Sequence, residues 1–339
     1  MPTVIVTGGA GFIGSNLVRH LRRERPDWAI VNVDKLSYAG NLANLEGIEA
    51  GPNYAFIHSD VADFTAMHRV WSRARVKYVF HLAAETHVDR SLKDPLPFVR
   101  TNVEGTAVLL ELARSQGVQK FIHMSTDEVY GAVSEGSAEV FTEESPLRPR
   151  NPYAATKAAA DLLCQAAHTS HRLPVVIVRP TNNYGPYQHP EKFLPLMITN
   201  LLLGEQVPIY GTGRQKRDWL QVDDTCAALI KLAELAEPGS IYNLAGSGLV
   251  SNLEVARKVL KLLKLDEERL TKVADRPGHD FSYPLSAKKA REELGIRPTT
   301  SLEEGLRRTV LWFQSHESWW RAIREGGFRE YYRNHYKEL

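Results

Sequence analysis

Thr3-Val4-Ile5-Val6-Thr7-Gly8-Gly9-Ala10-Gly11-Phe12-Ile13-Gly14 is the stretch that decides the fold. Its β-branched opening reads as a short, buried parallel strand. Glycines at 8, 11 and 14 come next as a G-x-x-G-x-x-G loop. Gly8 permits a tight turn, Gly11 lets the backbone approach a pyrophosphate, and Gly14 lets the next helix sit close to the strand. Phe12 and Ile13 lie in the same turn, where a helix N-terminus offers free N–H groups and a positive dipole end to phosphates. A glycine pattern alone is weak evidence, so its weight comes from the strand and the acid downstream of it.

Ile30-Val31-Asn32-Val33 reads as a second strand, and Asp34 ends it twenty residues after Gly14. A carboxylate there suits the adenosine ribose hydroxyls and repels a 2′-phosphate, which favours NAD over NADP. Lys35 beside it argues in the other direction. Further strands are expected at Tyr54–His58, Val76–His81, Val118–Met124 and Val175–Val178. Pro97 to Gln116 reads as one long amphipathic helix ended by Gly117. Lys35 to Leu45 is polar, a loop with a helical turn at most. Strand and helix patterns alternate through the first ~180 residues, which predicts an α/β fold with a Rossmann-type, doubly wound parallel sheet. Asp60 and Val61 come after the third strand; Asp60 either meets the adenine end of the cofactor or caps the next helix, and both readings stand. Ala83 and Ala84 come after the fourth strand and are small enough for a cofactor to approach closely. Glu85, His87 and Asp89 come next, where the cleft of such a sheet lies.

The chain has 339 residues, 43% of them hydrophobic, enough for a sizeable core. Lys+Arg number 42 against 40 Asp+Glu, a balance that gives no pull toward nucleic acid or membrane. No apolar run approaches the ~20 residues of a membrane span, and the N-terminus has no signal-peptide pattern. Two cysteines, Cys164 and Cys226, make neither a disulfide framework nor a zinc site, so a reducing cytoplasm is expected. His87 has no partner at a ligand spacing, and no metal site is predicted.

Chemistry concentrates between Phe121 and Lys157. The strand Phe121–Met124 runs into Ser125-Thr126-Asp127-Glu128-Val129-Tyr130-Gly131, and a polar loop leads to Pro152-Tyr153-Ala154-Ala155-Thr156-Lys157. Tyr153 and Lys157 stand four apart and share a helix face if Pro152 starts the helix. A free phenol titrates near roughly pH 10; the Lys157 ammonium and a cation on a bound cofactor favour phenolate and make Tyr153 a base. Adjacent acids divide acid and base work only if their surroundings separate their pKa values. Ala154, Ala155, Ala158, Ala159 and Ala160 form a small-residue face, suited to a homodimer or to packing within one chain. From Arg179 the texture is loop-rich. Leu194–Leu203, a start at Asn252, Leu302–Phe313 and the Trp319-Trp320 region read as helices, and Gly211–Trp219 as a loop with three cations. Arg217 offers a fork to a diphosphate, whereas Arg214 and Lys216 read as solvated charges. Residues 181–339 are therefore expected to form a smaller, mixed substrate-binding domain, with returns to the first domain (residues 1–180) near 218–243.

These residues resemble a known family. The glycine loop, Asp34 and Tyr153-x-x-x-Lys157 are similar to the extended short-chain dehydrogenase/reductase superfamily. Within it, the runs Asn32 to Leu42, Ala84 to Ser91, Thr126 to Gly131, Asn182 to Pro186 and Arg217-Asp218-Trp219 resemble the dTDP-glucose 4,6-dehydratase family. The resemblance spans most of the chain and is strongest before residue 225. Its most specific part is Thr126-Asp127-Glu128, since related epimerases usually carry small uncharged residues at the two acids.

The resemblance implies an NAD-dependent lyase acting on a nucleotide-sugar in deoxysugar biosynthesis. Tyr153 would take the proton of the 4-hydroxyl as C4 is oxidised by NAD, Thr126 would bond that oxygen, and Lys157 would hold the nicotinamide ribose. Glu128 would remove the C5 proton while Asp127, as an acid, protonates the departing C6 hydroxyl. The hydride would return to C6, regenerating NAD. Glu85, Asn183, Arg217, Asn252 and His279 would contact the substrate. The chain departs from the family at Phe281 and Leu285, so thymidine and uridine nucleotides both remain open. Competing readings are a UDP-glucose 4,6-dehydratase, a sugar-nucleotide 4-epimerase and a silent NAD-binding regulatory protein; the acid pair opposes the epimerase, and the intact Tyr153 and Lys157 oppose the silent binder.

Overall fold

The β-branched runs of the first half form a parallel sheet in the computed structural model, which describes residues 1–48, 51–275 and 280–325. The strands are β1 (Thr3–Thr7), β2 (Ala29–Asp34), β3 (Tyr54–His58), β4 (Val76–His81), β5 (Lys120–Met124), β6 (Val175–Pro180), β7 (Asn182–Tyr184), β8 (Val207–Tyr210), β9 (Lys216–Gln221), β10 (Ile241–Leu244), β11 (Leu249–Ser251) and β12 (Leu270–Val273). The helices are α1 (Phe12–Glu24), α2 (Phe64–Trp71), α3 (Val88–Lys93), α4 (Leu96–Phe98), α5 (Gly105–Gln116), α6 (Pro152–His171), α7 (Phe193–Leu202), α8 (Val222–Leu235), α9 (Asn252–Leu263), α10 (Lys288–Leu294), α11 (Leu302–Ser315) and α12 (Glu317–Glu325). Seven strands pair all-parallel in the order β10-β6-β5-β4-β1-β2-β3. The order reverses between β1 and β4, the position at which a doubly wound sheet opens its cleft.

Each face of this sheet buries its own apolar layer. Leu17, Val18 and Leu21 of α1 join Leu229, Ile230 and Leu232 of α8 on one side. Met67 and Val70 of α2, Leu109 and Leu112 of α5 and Cys164 of α6 join on the other. Each such side chain, fully buried, contributes roughly 1.5–3 kcal/mol. The chain leaves the sheet after β6 and comes back through α8 and β10, residues 222–244. Outside it, segments before and after this return combine: β9 lies between β11 and β7 in a separate three-stranded sheet, and β12 pairs with β8. A third apolar cluster, including Met197, Trp219, Val255, Leu306 and Trp320, fills this region.

Two sequence expectations are corrected. The long helix over Pro97–Gln116 is interrupted by a π-helical turn, Val99–Glu104. Asn102 turns inward there: its side chain pairs with the Glu85 backbone at 2.9 and 3.0 Å and donates to the Thr156 hydroxyl at 2.9 Å. A π turn inserts one residue to make room for such a contact. The three-cation stretch is also not all loop, because Lys216–Gln221 is strand β9. Its pairing partners are distant in sequence, and no local pattern announces them.

Leu285 packs in a small apolar cluster with Val129, Tyr130, Val133 and Phe141. Phe281 lends its carbonyl to Arg217 at 3.1 Å. Among the described residues, no helix is long and apolar enough to cross a membrane, and no group of His, Cys, Asp and Glu side chains is placed to hold a metal ion.

Candidate active site

At the carboxyl ends of β1, β2, β4 and β5 the sheet opens into a cleft of about 1520 Å³, its open mouth included. The glycine loop forms its floor. Gly8 has φ +72, and a Cβ on it would lie 2.7 Å from the Ala83 backbone nitrogen. A Cβ on Gly14 would lie 2.1 Å from the Gly8 carbonyl oxygen, so α1 approaches β1 only because that atom is absent. Asp34 closes this end: one carboxylate oxygen accepts from Ala10 N at 2.9 Å and the other from Leu36 N at 2.8 Å. Lys35 is engaged elsewhere, at 3.1 Å from Glu85 and donating to the Thr101 hydroxyl at 2.6 Å. This bare backbone cradle, with a carboxylate at its rim, fits a dinucleotide.

The opposite wall carries the reactive groups. β5 delivers Ser125 and Thr126, and Thr126 Oγ1 caps the next 3₁₀ turn by accepting from Glu128 N at 3.3 Å. Pro152 starts α6, as its fixed φ allows at a first helical position. Asn151 caps that helix. One turn apart, Tyr153 and Lys157 are buried against the strand-end, where Lys157 Nζ donates to the Met124 carbonyl at 2.6 Å. Beneath them lies a buried ionic layer: Asp161 accepts from Arg179 Nε at 2.8 Å, and Arg179 donates on to the Tyr130 hydroxyl at 2.8 Å.

Electrostatics divide the acids. Burial, then the Glu128 charge, pushes Asp127 up to about 8. Burial also raises Glu128, but a hydrogen bond from Asn151 and the Arg217 charge oppose the rise. Burial holds Lys157 down at about 8, with Asp161 opposing the shift. In the protein alone, burial, followed by the Glu128 charge, raises Tyr153 well above the free value; the acidified phenol is expected with the cofactor's cation in place.

The cleft brings together most of the residues expected from sequence. Gly8, Gly11, Phe12, Ile13, Gly14, Asp34, Lys35, Val61, Ala83 and Ala84 line it, with Thr126, Asp127, Glu128, Tyr153, Lys157 and Asn183. Four expected residues do not line it. Asp60 accepts from Ala62 N at 3.0 Å in a turn, and the helix cap is Asp63 instead. Glu85 is paired with Lys35. Arg217 stacks over Tyr283 at 4.7 Å and donates to the Asp280 and Phe281 carbonyls, both at 3.1 Å. Asn252 begins α9 and donates its backbone N–H to Gln215 O at 2.9 Å. His279 lies outside the described residues. Of the two cations read as solvated, Arg214 is exposed and paired with Glu135.

Sequence reasoning missed Gln188, His189, Glu191 and Lys192, which line the cleft beyond β7. Glu191 is fully buried, 3.6 Å from His87 Nε2 and 3.7 Å from Arg90. The usable signal was their place, a polar run directly after the strand-end Asn182–Tyr184.

The model of the NAD dependent epimerase/dehydratase family matches residues 4–245. A dTDP-glucose 4,6-dehydratase of Neisseria meningitidis is 43% identical over 97% of this chain and 98% of its own length. One from Streptomyces niveus is 45% identical over 95% of each. Among solved structures, the dTDP-glucose 4,6-dehydratase of Streptomyces venezuelae with NAD bound has a TM-score of 0.90 at 44% identity, covering 95% of this chain and 99% of that one. A UDP-glucose 4-epimerase from Thermotoga maritima is more distant, with a TM-score of 0.86 at 31% identity over 92% of this chain and 99% of that one. The chain belongs to the NAD-dependent epimerase/dehydratase family and, within it, to the dTDP-glucose 4,6-dehydratases.

Proposed function

We propose that the protein dehydrates dTDP-glucose to dTDP-4-keto-6-deoxyglucose, a precursor of deoxysugars, as an NAD-dependent hydro-lyase. The observation that carries this reading is the acid pair Asp127-Glu128 set in one wall with Tyr153 and Lys157. NAD, held by the glycine loop and Asp34, supplies reversible oxidation at the sugar. The engagement of Lys35 by Glu85 and Thr101 supports NAD over its 2′-phosphorylated form.

Tyr153 accepts the proton of the 4-hydroxyl, and Thr126 holds that oxygen. A keto group at C4 acidifies the C5 proton, which Glu128 removes. Asp127 stays protonated at neutral pH because its site is dry and faces a second carboxylate, so it can protonate the departing C6 hydroxyl. Lys157 orients the nicotinamide ribose and keeps a positive charge beside the phenol. Asn183, which lines the cleft, serves the nucleotide-sugar in this reading, and Arg217, set outside that lining, offers its guanidinium fork to the diphosphate. Residues 1–180, with the return through α8 and β10, serve the cofactor; the remainder of 181–339 serves the sugar nucleotide.

A second copy of the chain completes the assembly in this reading. Ala154, Ala158 and Ala160 of the alanine face are consumed within the chain, but Ala155 and Leu162 stay exposed on α6, beside exposed Leu92 and Leu96. Such an apolar stripe on packed helices suits a homodimer. The two cysteines are buried free thiols, in keeping with a reducing cytoplasm.

The Glu128→Gln variant tests the assignment. With dTDP-glucose it should still reduce the bound cofactor, yet form no 4-keto-6-deoxy product and incorporate no solvent deuterium at C5. Full dehydratase turnover by this variant would remove Glu128 as the base.

A further inference from the structure

Asn151 makes two hydrogen bonds in opposite directions. Its Oδ1 accepts from Ala154 N at 2.8 Å and so caps α6, the helix that carries Tyr153 and Lys157. Its Nδ2 donates to Glu128 Oε2 at 3.0 Å. The orientation of the amide is fixed by these partners, because a flipped amide would face N–H against N–H at the cap and oxygen against carboxylate at Glu128. Capping alone is done equally well by Ser, Thr or Asp. Only a side chain with a donor beyond its capping oxygen also reaches the acid.

We propose that Asn151 is a positioning residue for the elimination step, tying the carboxylate of Glu128 to the first turn of α6. This deepens the functional reading above and rests on Glu128 being the base. The tie acts in two ways. A hydrogen bond donated to a carboxylate favours its ionised form, which a base requires, against the burial that disfavours it. It also fixes where the lone pairs point: Oε2 is taken, and Oε1 has no hydrogen-bond partner among the described residues, leaving it for the C5 proton. The bond further sets the base at a constant distance from Tyr153, so the group serving C4 and the group serving C5 move as one unit. The donor is neutral, so it supports the base without adding a charge that would lower Asp127 and strip its proton.

The test is Asn151→Ser, which keeps a capping oxygen and loses the reach, compared with Asn151→Asp, which keeps the cap and sets a second carboxylate against Glu128. Both are assayed as the full-length, NAD-bound enzyme with dTDP-glucose. Asn151→Ser should lower kcat about 10-fold with KM little changed, as the loss of a hydrogen bond to a charged group predicts. Its acidic limb should move up by about one pH unit, since Glu128 then needs a higher pH to ionise. Reduction of the bound cofactor should keep its wild-type rate, and Asn151→Asp should fall further than Asn151→Ser. A merely structural cap would leave the acidic limb in place, and that result, or an unchanged kcat, overturns the proposal. Glu128→Gln run in parallel separates the two failures: if it fails to eliminate while Asn151→Ser matches wild type, the positioning role alone is lost; if it turns over fully, the base assignment falls as well.

Discussion

The cofactor end and the sugar end of the cleft are built by different rules. At the cofactor end, β1, β2 and β4 lie side by side and each delivers its next residues to the same edge. Position in the sequence therefore translates into position in space, and Gly8, Asp34 and Ala83 meet as expected. At the sugar end, β9 is held between β7 and β11, and the loop after the acid pair is tied to a distant segment by bridges Val133–Ser282 and Phe141–Leu285. There, sequence position says little about neighbours. A site can thus be legible at one end and hidden at the other, according to whether its residues sit on successive strands of one sheet.

The largest effect should come from the acid-base wall both ends share. Tyr153→Phe removes the phenolic proton acceptor and should lower kcat about 10³-fold, within the usual span for a general base; a loss under tenfold would move catalysis away from this wall. Next is Asp127→Asn, which should cost about 10²-fold in turnover while making the fold more stable. Asp127 titrates near 8 in the folded chain, against an ordinary carboxylate value when unfolded. Between those two values the folded state holds a proton that the unfolded state has lost, so stability falls as pH rises through that window. The amide removes this dependence, and thermal unfolding at neutral pH should show a gain of about 1–3 kcal/mol. The same titration predicts that wild-type turnover declines above about pH 8, as Asp127 ionises and Lys157 loses its proton.

Gly14→Ala probes the cofactor end by itself. Its Cβ would meet the Gly8 carbonyl at 2.1 Å, so unfolding should show a loss of about 1–3 kcal/mol, and NAD retention on gel filtration should drop. Retention equal to wild type would contradict the close approach of helix and strand. The smallest effect belongs to Trp319→Phe in α12, which keeps a ring but loses the bond from Nε1 to Asn44 Oδ1, 2.9 Å long. Asn44 in turn donates to the Ala10 carbonyl of the glycine loop at 2.8 Å. A destabilisation of about 1 kcal/mol is expected, and a measurable loss of NAD affinity with it would show that the C-terminal helix supports the cofactor loop.

The parallel sheet was legible because buried strands between short loops leave β-branched runs, as in Val4–Val6 and Val175–Val178. Helix α6 was legible from Pro152 and its alanines. The π turn at Val99–Glu104 was not, because it arises from Asn102 bonding a backbone seventeen residues earlier in the chain. Arg217 was read as a fork for a diphosphate, and what the sequence could not show is that stacking on Tyr283 and bonds to two carbonyls set its direction. Glu191 was invisible because its burial depends on His87 and Arg90, about a hundred residues away. Local pattern reports what a residue does within its own element, and side chains oriented by distant partners fall outside it.

The most direct measurement is to incubate the purified enzyme with dTDP-glucose and UDP-glucose in parallel and track formation of the 4-keto-6-deoxy product. Product from dTDP-glucose, with little or none from UDP-glucose, is the predicted result. Product mainly from UDP-glucose would overturn the nucleotide assignment, and no elimination from either sugar by the NAD-bound enzyme would contradict the roles given to Asp127 and Glu128.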